Sequence, residues 1–135
     1  MIQYTNNSAK VKTAINTAVK NFLTEAGGEI QAATIRNSRT DTGQTKGSYE
    51  YKVVTGNDEG TVYVGSNYQN AIWEEYGTGE YALQGNGRKT PWVYKDRFGK
   101  WHRTKGKTPN KPLKKAFDSL SGKLEARLAA VLKSI

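Results

Sequence analysis

Several short stretches of this 135-residue chain carry residue types that do chemistry, and each has to be weighed against its flanks. Asp41-Thr42-Gly43 could supply one aspartate of a paired-carboxylate dyad of the aspartic-protease type, completed by a second copy of the chain. Such a dyad is rigid and largely buried, so apolar strand sequence should lie on either side. Here Ile35-Arg36-Asn37-Ser38-Arg39-Thr40 precedes it and Gln44-Thr45-Lys46-Gly47 follows, and both flanks are polar. The stretch reads instead as a turn from a first helix into a first strand. In that turn Asp41 and Thr42 bond local backbone groups and Gly43 supplies an unusual φ. Glu74-Glu75, beside Trp73, offers two carboxylates for acid/base work, but adjacent helical residues point about 100° apart and would not share one site. One of the two is expected to face solvent or a partner. Gly77-Thr78-Gly79 and Gly85-Asn86-Gly87-Arg88-Lys89-Thr90 lack the glycine-to-lysine spacing of a phosphate loop and read as flexible loop. His102 is the single histidine and there is no cysteine, which argues against a histidine or thiolate metal cluster and against a catalytic triad. Catalytic, cofactor and metal residues are accordingly not expected.

A different constellation carries more. Trp92, Tyr94, Phe98 and Trp101 interleave with Lys95, Arg97, Lys100 and Arg103. Cations with aromatics between them suit binding of a nucleic-acid strand by charge and stacking, and they suit a protein interface equally well. The net charge of +9 is concentrated there. Residues 88 to 115 hold eleven Lys/Arg against Asp96 alone, a local charge of +10, so the remaining residues sum to −1. An acidic partner surface or a nucleic acid is the matching ligand.

The elements that must position these residues follow from periodicity. Val11, Ala14, Ile15, Ala18, Val19, Phe22, Leu23, Ala26, Ile30 and Ala33 recur at helical steps, predicting an N-terminal helix over residues 8–36 capped by Ser8 or Asn7. Gly27-Gly28 gives that helix a weak middle where a kink or break is expected. Residues 48–65 alternate as two strands around a Gly-Asn-Asp-Glu-Gly turn, and 70–76 form a short helix stopped by Gly77. Residues 77–108 are a glycine-rich loop leading into a basic aromatic hairpin arm whose turn is Asp96-Arg97-Phe98-Gly99. Leu113, Ala116, Phe117, Leu120, Leu124, Leu128, Val131, Leu132 and Ile135 predict a C-terminal helix over 111–135, with Pro112 in its first turn. The expectation is a single α+β domain spanning residues 1–135. In it, a small antiparallel sheet built from two hairpins packs against the long N-terminal helix and the C-terminal helix. No stretch has the length and apolarity of a membrane span or a leader, so a soluble, non-secreted protein is expected.

Four segments in this order resemble a known family. They are Asp41-Thr42-Gly43 followed by Ser48; Val64-Gly65-Ser66 leading through Tyr68 and Ala71 to Trp73-Glu74-Glu75-Tyr76-Gly77-Thr78-Gly79; Trp92-Val93-Tyr94 with Gly99-Lys100-Trp101-His102; and Lys111-Pro112-Leu113 with Ala116-Phe117. Together they resemble the HK97-type neck or tail-completion (minor tail component) family of long-tailed bacteriophages, over roughly residues 8 to 135. Thr45, Tyr76 and Lys114 stand where that family commonly has other residues. The resemblance implies no catalysis. It implies a virion protein at the head-tail junction, assembled in the bacterial cytoplasm as a ring of several copies. That ring would contact the head connector or stopper on one side and the tail terminator or tail tube on the other, with packaged DNA within reach and no membrane. On that reading Trp92, Tyr94 and Trp101 anchor the arm against a partner, while its cations match an acidic surface or DNA. The alternative of a different class is a basic nucleic-acid-binding module that uses residues 88–107.

Overall fold

The long apolar stripe folds as one continuous helix, α1, Ser8–Asn37. Asn7 stands at its N-cap, one of the two positions expected, but makes no side-chain cap bond; the Ser8 N–H donates instead to Asn6 Oδ1 at 3.0 Å. The helix does not break at Gly27-Gly28. A Cβ on Gly27 would lie 2.6 Å from Tyr51 Cδ2 and 2.7 Å from Val62 Cγ2, so the bare glycine is what lets the helix lie directly on the strands beneath it. The computed structural model that describes this arrangement covers residues 2–39, 43–56, 59–85, 87–96 and 98–135. Asp41, Thr42 and Arg97, singled out above, lie outside the described residues.

After α1 come a one-turn helix α2, Gln44–Gly47, then strands β1, Tyr49–Gly56, and β2, Glu59–Ser66. Helix α3, Gln69–Tyr76, a 3-10 turn Gly79–Tyr81, strands β3, Trp92–Lys95, and β4, Trp101–Thr104, and helix α4, Pro112–Lys133, complete the order. The class is α+β, with a long N-terminal and a C-terminal helix as expected. Gly43 has the left-handed φ of 82° that the turn reading required. It opens α2 rather than leading straight into the sheet, because Gln44-Thr45-Lys46-Gly47 closes a turn through Gly47 N–H to Gly43 O at 3.0 Å.

β1 and β2 pair antiparallel from Tyr49↔Ser66 to Gly56↔Glu59. Since side chains alternate, Tyr49, Tyr51 and Val53 share the α1 side with Val62, Val64 and Ser66, while Glu50, Lys52 and Tyr63 face away. The core lies between α1 and α4: Phe22, Ala26, Ile30 and Ala33 meet Ala116 and Leu124, with Leu23, Val64, Leu120 and Leu128 packed around them. The outer turns of both helices stay exposed, at Val11 and Ile15 in α1 and at Leu132 in α4.

The two hairpins do not join into one sheet. β1–β2 and β3–β4 are separate two-stranded sheets. The physical reason is visible in the register of the second: Trp92↔Thr104, Val93↔Arg103, Tyr94↔His102 and Lys95↔Trp101. Lysine and arginine occupy one of its faces and a histidine the other, so neither could lie on the apolar core at low cost.

Candidate functional site

α3 is folded with its charges inward. Ala71, Glu74 and Glu75 are its buried residues, whereas Ile72, Trp73 and Tyr76 are 56%, 43% and 45% exposed. The expectation that one glutamate faces solvent or a partner is therefore overturned, since Glu74 is 1% and Glu75 7% exposed. Burial of a carboxylate is tolerable only if donors surround it, and here they do.

Glu74 Oε1 accepts from the Arg39 N–H at 3.0 Å and from Asn110 Nδ2 at 2.7 Å, with Arg39 Nε at 3.3 Å. Its other oxygen takes the Lys107 ammonium. The Glu74 carbonyl accepts from Asn110 N–H at 2.9 Å and Lys111 N–H at 3.4 Å. Burial alone would push this carboxyl up; the bonds from Lys107, the Arg39 N–H and Asn110 outweigh it and hold the group below its ordinary range. Glu75 Oε1 instead receives the Leu113 N–H at 2.8 Å and the Lys114 N–H at 3.4 Å, which are orphan donors of the first turn of α4. Its Oε2 is buried without a hydrogen-bond partner. Burial raises the Glu75 carboxyl above its ordinary range, and the two N–H groups offset that only in part. Tyr49 Oη is also buried without a partner. Burial raises its phenol, the Glu75 and Glu74 charges add to this, and Ser38, whose hydroxyl donates to Thr34 O at 2.8 Å, works against it.

The two glutamates thus serve different segments, as their separation of about 100° on the helix requires, but both serve the interior. Glu74 ties the end of α1 to residues 107–111; Glu75 seats the start of α4. Arg39, Lys107, Asn110 and Tyr49 went unnoticed in the sequence because they stand some 25 to 36 positions from the carboxylates, and no local pattern joins them.

The glycine-rich loop is also built rather than slack in its first half. Gly77 N–H closes α3 on Trp73 O at 2.8 Å, Thr78 N–H donates to Lys107 O at 2.8 Å, and Glu80 N–H donates to Lys105 O at 3.1 Å. Lys107 N–H returns to Thr78 Oγ1 at 2.8 Å. At the crossing, a Cβ on Gly79 would stand 2.1 Å from Lys105 O and one on Gly106 2.1 Å from Thr78 O, with φ of 62° and 126°. Two main chains meet there with no room for side chains. The flexible-loop reading of Gly77-Thr78-Gly79 is corrected accordingly.

In the arm, Gly99 takes a left-handed φ of 84° as the turn demanded. Asp96 organises that turn: Oδ1 accepts from Phe98 N–H at 2.9 Å and Lys100 N–H at 2.8 Å, and Oδ2 meets His102 Nε2 at 2.7 Å. His102 first, then the Lys100 and Phe98 N–H groups, hold the Asp96 carboxyl below its ordinary range. The register separates the aromatics grouped in the sequence. Trp92 and Tyr94 lie on one face with His102 and Thr104; Lys95, Trp101 and Arg103 lie on the other with Val93. The Arg88 guanidinium sits 5.9 Å from the Trp92 ring centre and the Lys95 ammonium 5.9 Å from that of Trp101. Phe98 at the tip is 81% exposed, and Lys100 beside it is exposed too.

Among the described residues no group of three or more His, Asp or Glu is placed to hold a metal ion, and no helix is long and apolar enough to cross a membrane. No family model, curated protein or solved structure matches this chain.

Proposed function

We propose that the protein is a structural subunit of the bacteriophage head-tail junction, one copy of a ring that joins head connector to tail, as its motif set suggests. The observation that carries this reading is the inverted helix α3: Glu74 and Glu75 point inward onto donors of the fold while Ile72, Trp73 and Tyr76 point out. Carboxylates committed to main-chain N–H groups are scaffold, and an apolar helix face left outside is what a subunit interface requires.

Two of the four motif segments also converge at this point. The Trp73-to-Gly79 segment supplies both carboxylates, and Lys111 and Leu113 donate to the Glu74 carbonyl and to Glu75, with Arg39, just past the end of α1, reaching Glu74 as well. A motif set of this kind defines a fold junction. A ring needs two different patches on each subunit, and the exposed α3 face supplies one of them.

Mass spectrometry of purified particles of the phage that encodes this chain should find it in a small fixed stoichiometry. A Trp73→Ser/Tyr76→Ser variant should stay folded and leave filled heads unjoined to tails. Absence from the particle, or normal tailed particles from the double variant, would remove the proposal.

A further inference from the structure

Among the described residues the hairpin β3–β4 stands as a two-stranded ribbon that pairs with no third strand, an arrangement of marginal stability in water. Its two faces are not equivalent. On one, Tyr94 and His102 stack with ring centres 5.2 Å apart and planes 24° from parallel, and His102 is tied to Asp96. That face is engaged with itself. On the other, Val93, Lys95, Trp101 and Arg103 are all exposed, with Val93 58% and Trp101 64% open. The result is a flat indole between two cations, presented outward from a ribbon of two strands.

Charge decides what could cover it. Among the described residues Arg88, Lys89, Lys95, Lys100, Arg103 and Lys105 form no ion pair with a carboxylate, whereas Lys107 is taken by Glu74. A second copy of the chain brings no net charge to match this surface, because the residues outside 88–115 sum to −1 against +10 within. The occupant must bring its own dense negative charge. It must also offer something flat or apolar to Trp101. Phosphates with bases between them meet both demands in every repeat unit, whereas an acidic protein meets them only where carboxylates flank an apolar side chain. A two-stranded ribbon is also narrow enough for the duplex major groove.

We infer that the Val93–Lys95–Trp101–Arg103 face binds nucleic acid, Lys95 and Arg103 at phosphates and Trp101 against bases. This goes beyond the assembly reading and holds for the isolated chain whether or not a ring forms. Single strand and duplex share the chemistry, and the assay distinguishes them.

The test is fluorescence anisotropy of the full chain titrated onto a labelled duplex and onto one of its strands across a salt series starting at about 50 mM. Wild type should bind with affinity that falls steeply as salt rises. Lys95→Ala/Arg103→Ala should flatten the log–log salt slope by about 1.8 on duplex or about 1.4 on single strand, since each phosphate contact contributes roughly 0.9 or 0.7. Trp101→Ala should weaken single-strand binding by about 5- to 150-fold with the slope unchanged. If only the duplex loses affinity in the double variant, the groove mode is selected; if the strand does as well, the stacking mode is. Lys52→Ala, on the outward face of the first hairpin, should match wild type. No binding at low salt, a Lys95→Ala/Arg103→Ala variant that binds as wild type, or an equal loss with Lys52→Ala would overturn the inference. Tighter binding to poly-glutamate than to either oligonucleotide would overturn it too, in favour of an acidic protein. Failure here leaves the particle experiment untouched, and failure there leaves this one standing.

Discussion

The molecule contains two antiparallel hairpins of similar local chemistry and opposite fate. β1–β2 lies under α1 so closely that Gly27 has no room for a methyl group, and its Val64 packs against the core. β3–β4 carries as many aromatic residues yet leaves Val93, Tyr94, Phe98 and Trp101 in the open. The difference teaches how the composition of a hairpin's faces decides whether it packs. Alternation in the first hairpin collects Tyr49, Tyr51, Val53, Val62 and Val64 on one face, which is enough to adhere to a helix. Alternation in the second mixes a cation with an aromatic on its outer face, which water tolerates and an anionic partner would prefer. Between them sits α3, whose carboxylates tie the packed half to the residues that follow the free hairpin.

If that rule is right, substitutions should sort by hairpin. The largest effect is expected at the tie itself. Glu74→Ala leaves the Arg39 N–H, Asn110 and Lys107 without their acceptor and should cost about 2–3 kcal/mol, the cations' access to water keeping it below a fully buried pair. Because the folded state holds this carboxyl below its ordinary range, its contribution is full above the unfolded-state value near about 4.3 and is lost as pH falls through the folded value. Chemical denaturation of wild type and variant at neutral and acid pH should show the gap closing in acid. Glu75 runs the other way. Its raised carboxyl favours the folded state below the unfolded value and loses that advantage as pH rises, so Glu75→Gln should be tolerated best at neutral and alkaline pH.

A smaller effect is expected under α1. Gly27→Ala gains up to about 1 kcal/mol of helix propensity but drives a methyl into Tyr51 and Val62, for a net loss of about 1–2 kcal/mol in thermal or urea unfolding. A neutral result would mean that the helix stands off the first hairpin. The smallest is in the arm: Trp101→Ala should change unfolding free energy by no more than about 0.5 kcal/mol, because the ring is 64% exposed. A loss several times larger would show that the second hairpin is packed after all.

Much of the architecture was legible from periodicity. The helical stripes from Val11 and from Leu113, the alternation on either side of Gly56, the stop at Gly77 and the turn at Gly99 are all local signals, and the elements fall where those signals put them. Of the turn expected at Asp41-Thr42-Gly43, the described residues include Gly43, which has the left-handed φ that a turn requires. The charge asymmetry of the arm needed no coordinates either. Two readings failed for a common reason. One of Glu74 and Glu75 is expected at solvent or a partner, and Gly77-Thr78-Gly79 in a flexible loop, because each is polar or small in sequence. Both are buried by partners far along the chain.

The sequence by itself determined the kinds and order of elements, the glycines at forced turns and the placement of net charge, since these depend on neighbours within a few positions. Only the tertiary structure decided that two hairpins remain two sheets, that the arm's aromatics divide between opposite faces, and that α3 turns its charges inward. The physical reason is the range of the interactions. A buried carboxylate is stable only where donors from distant segments arrive together, as Arg39, Lys107 and Asn110 do at Glu74, and such convergence leaves no mark on any short stretch of chain.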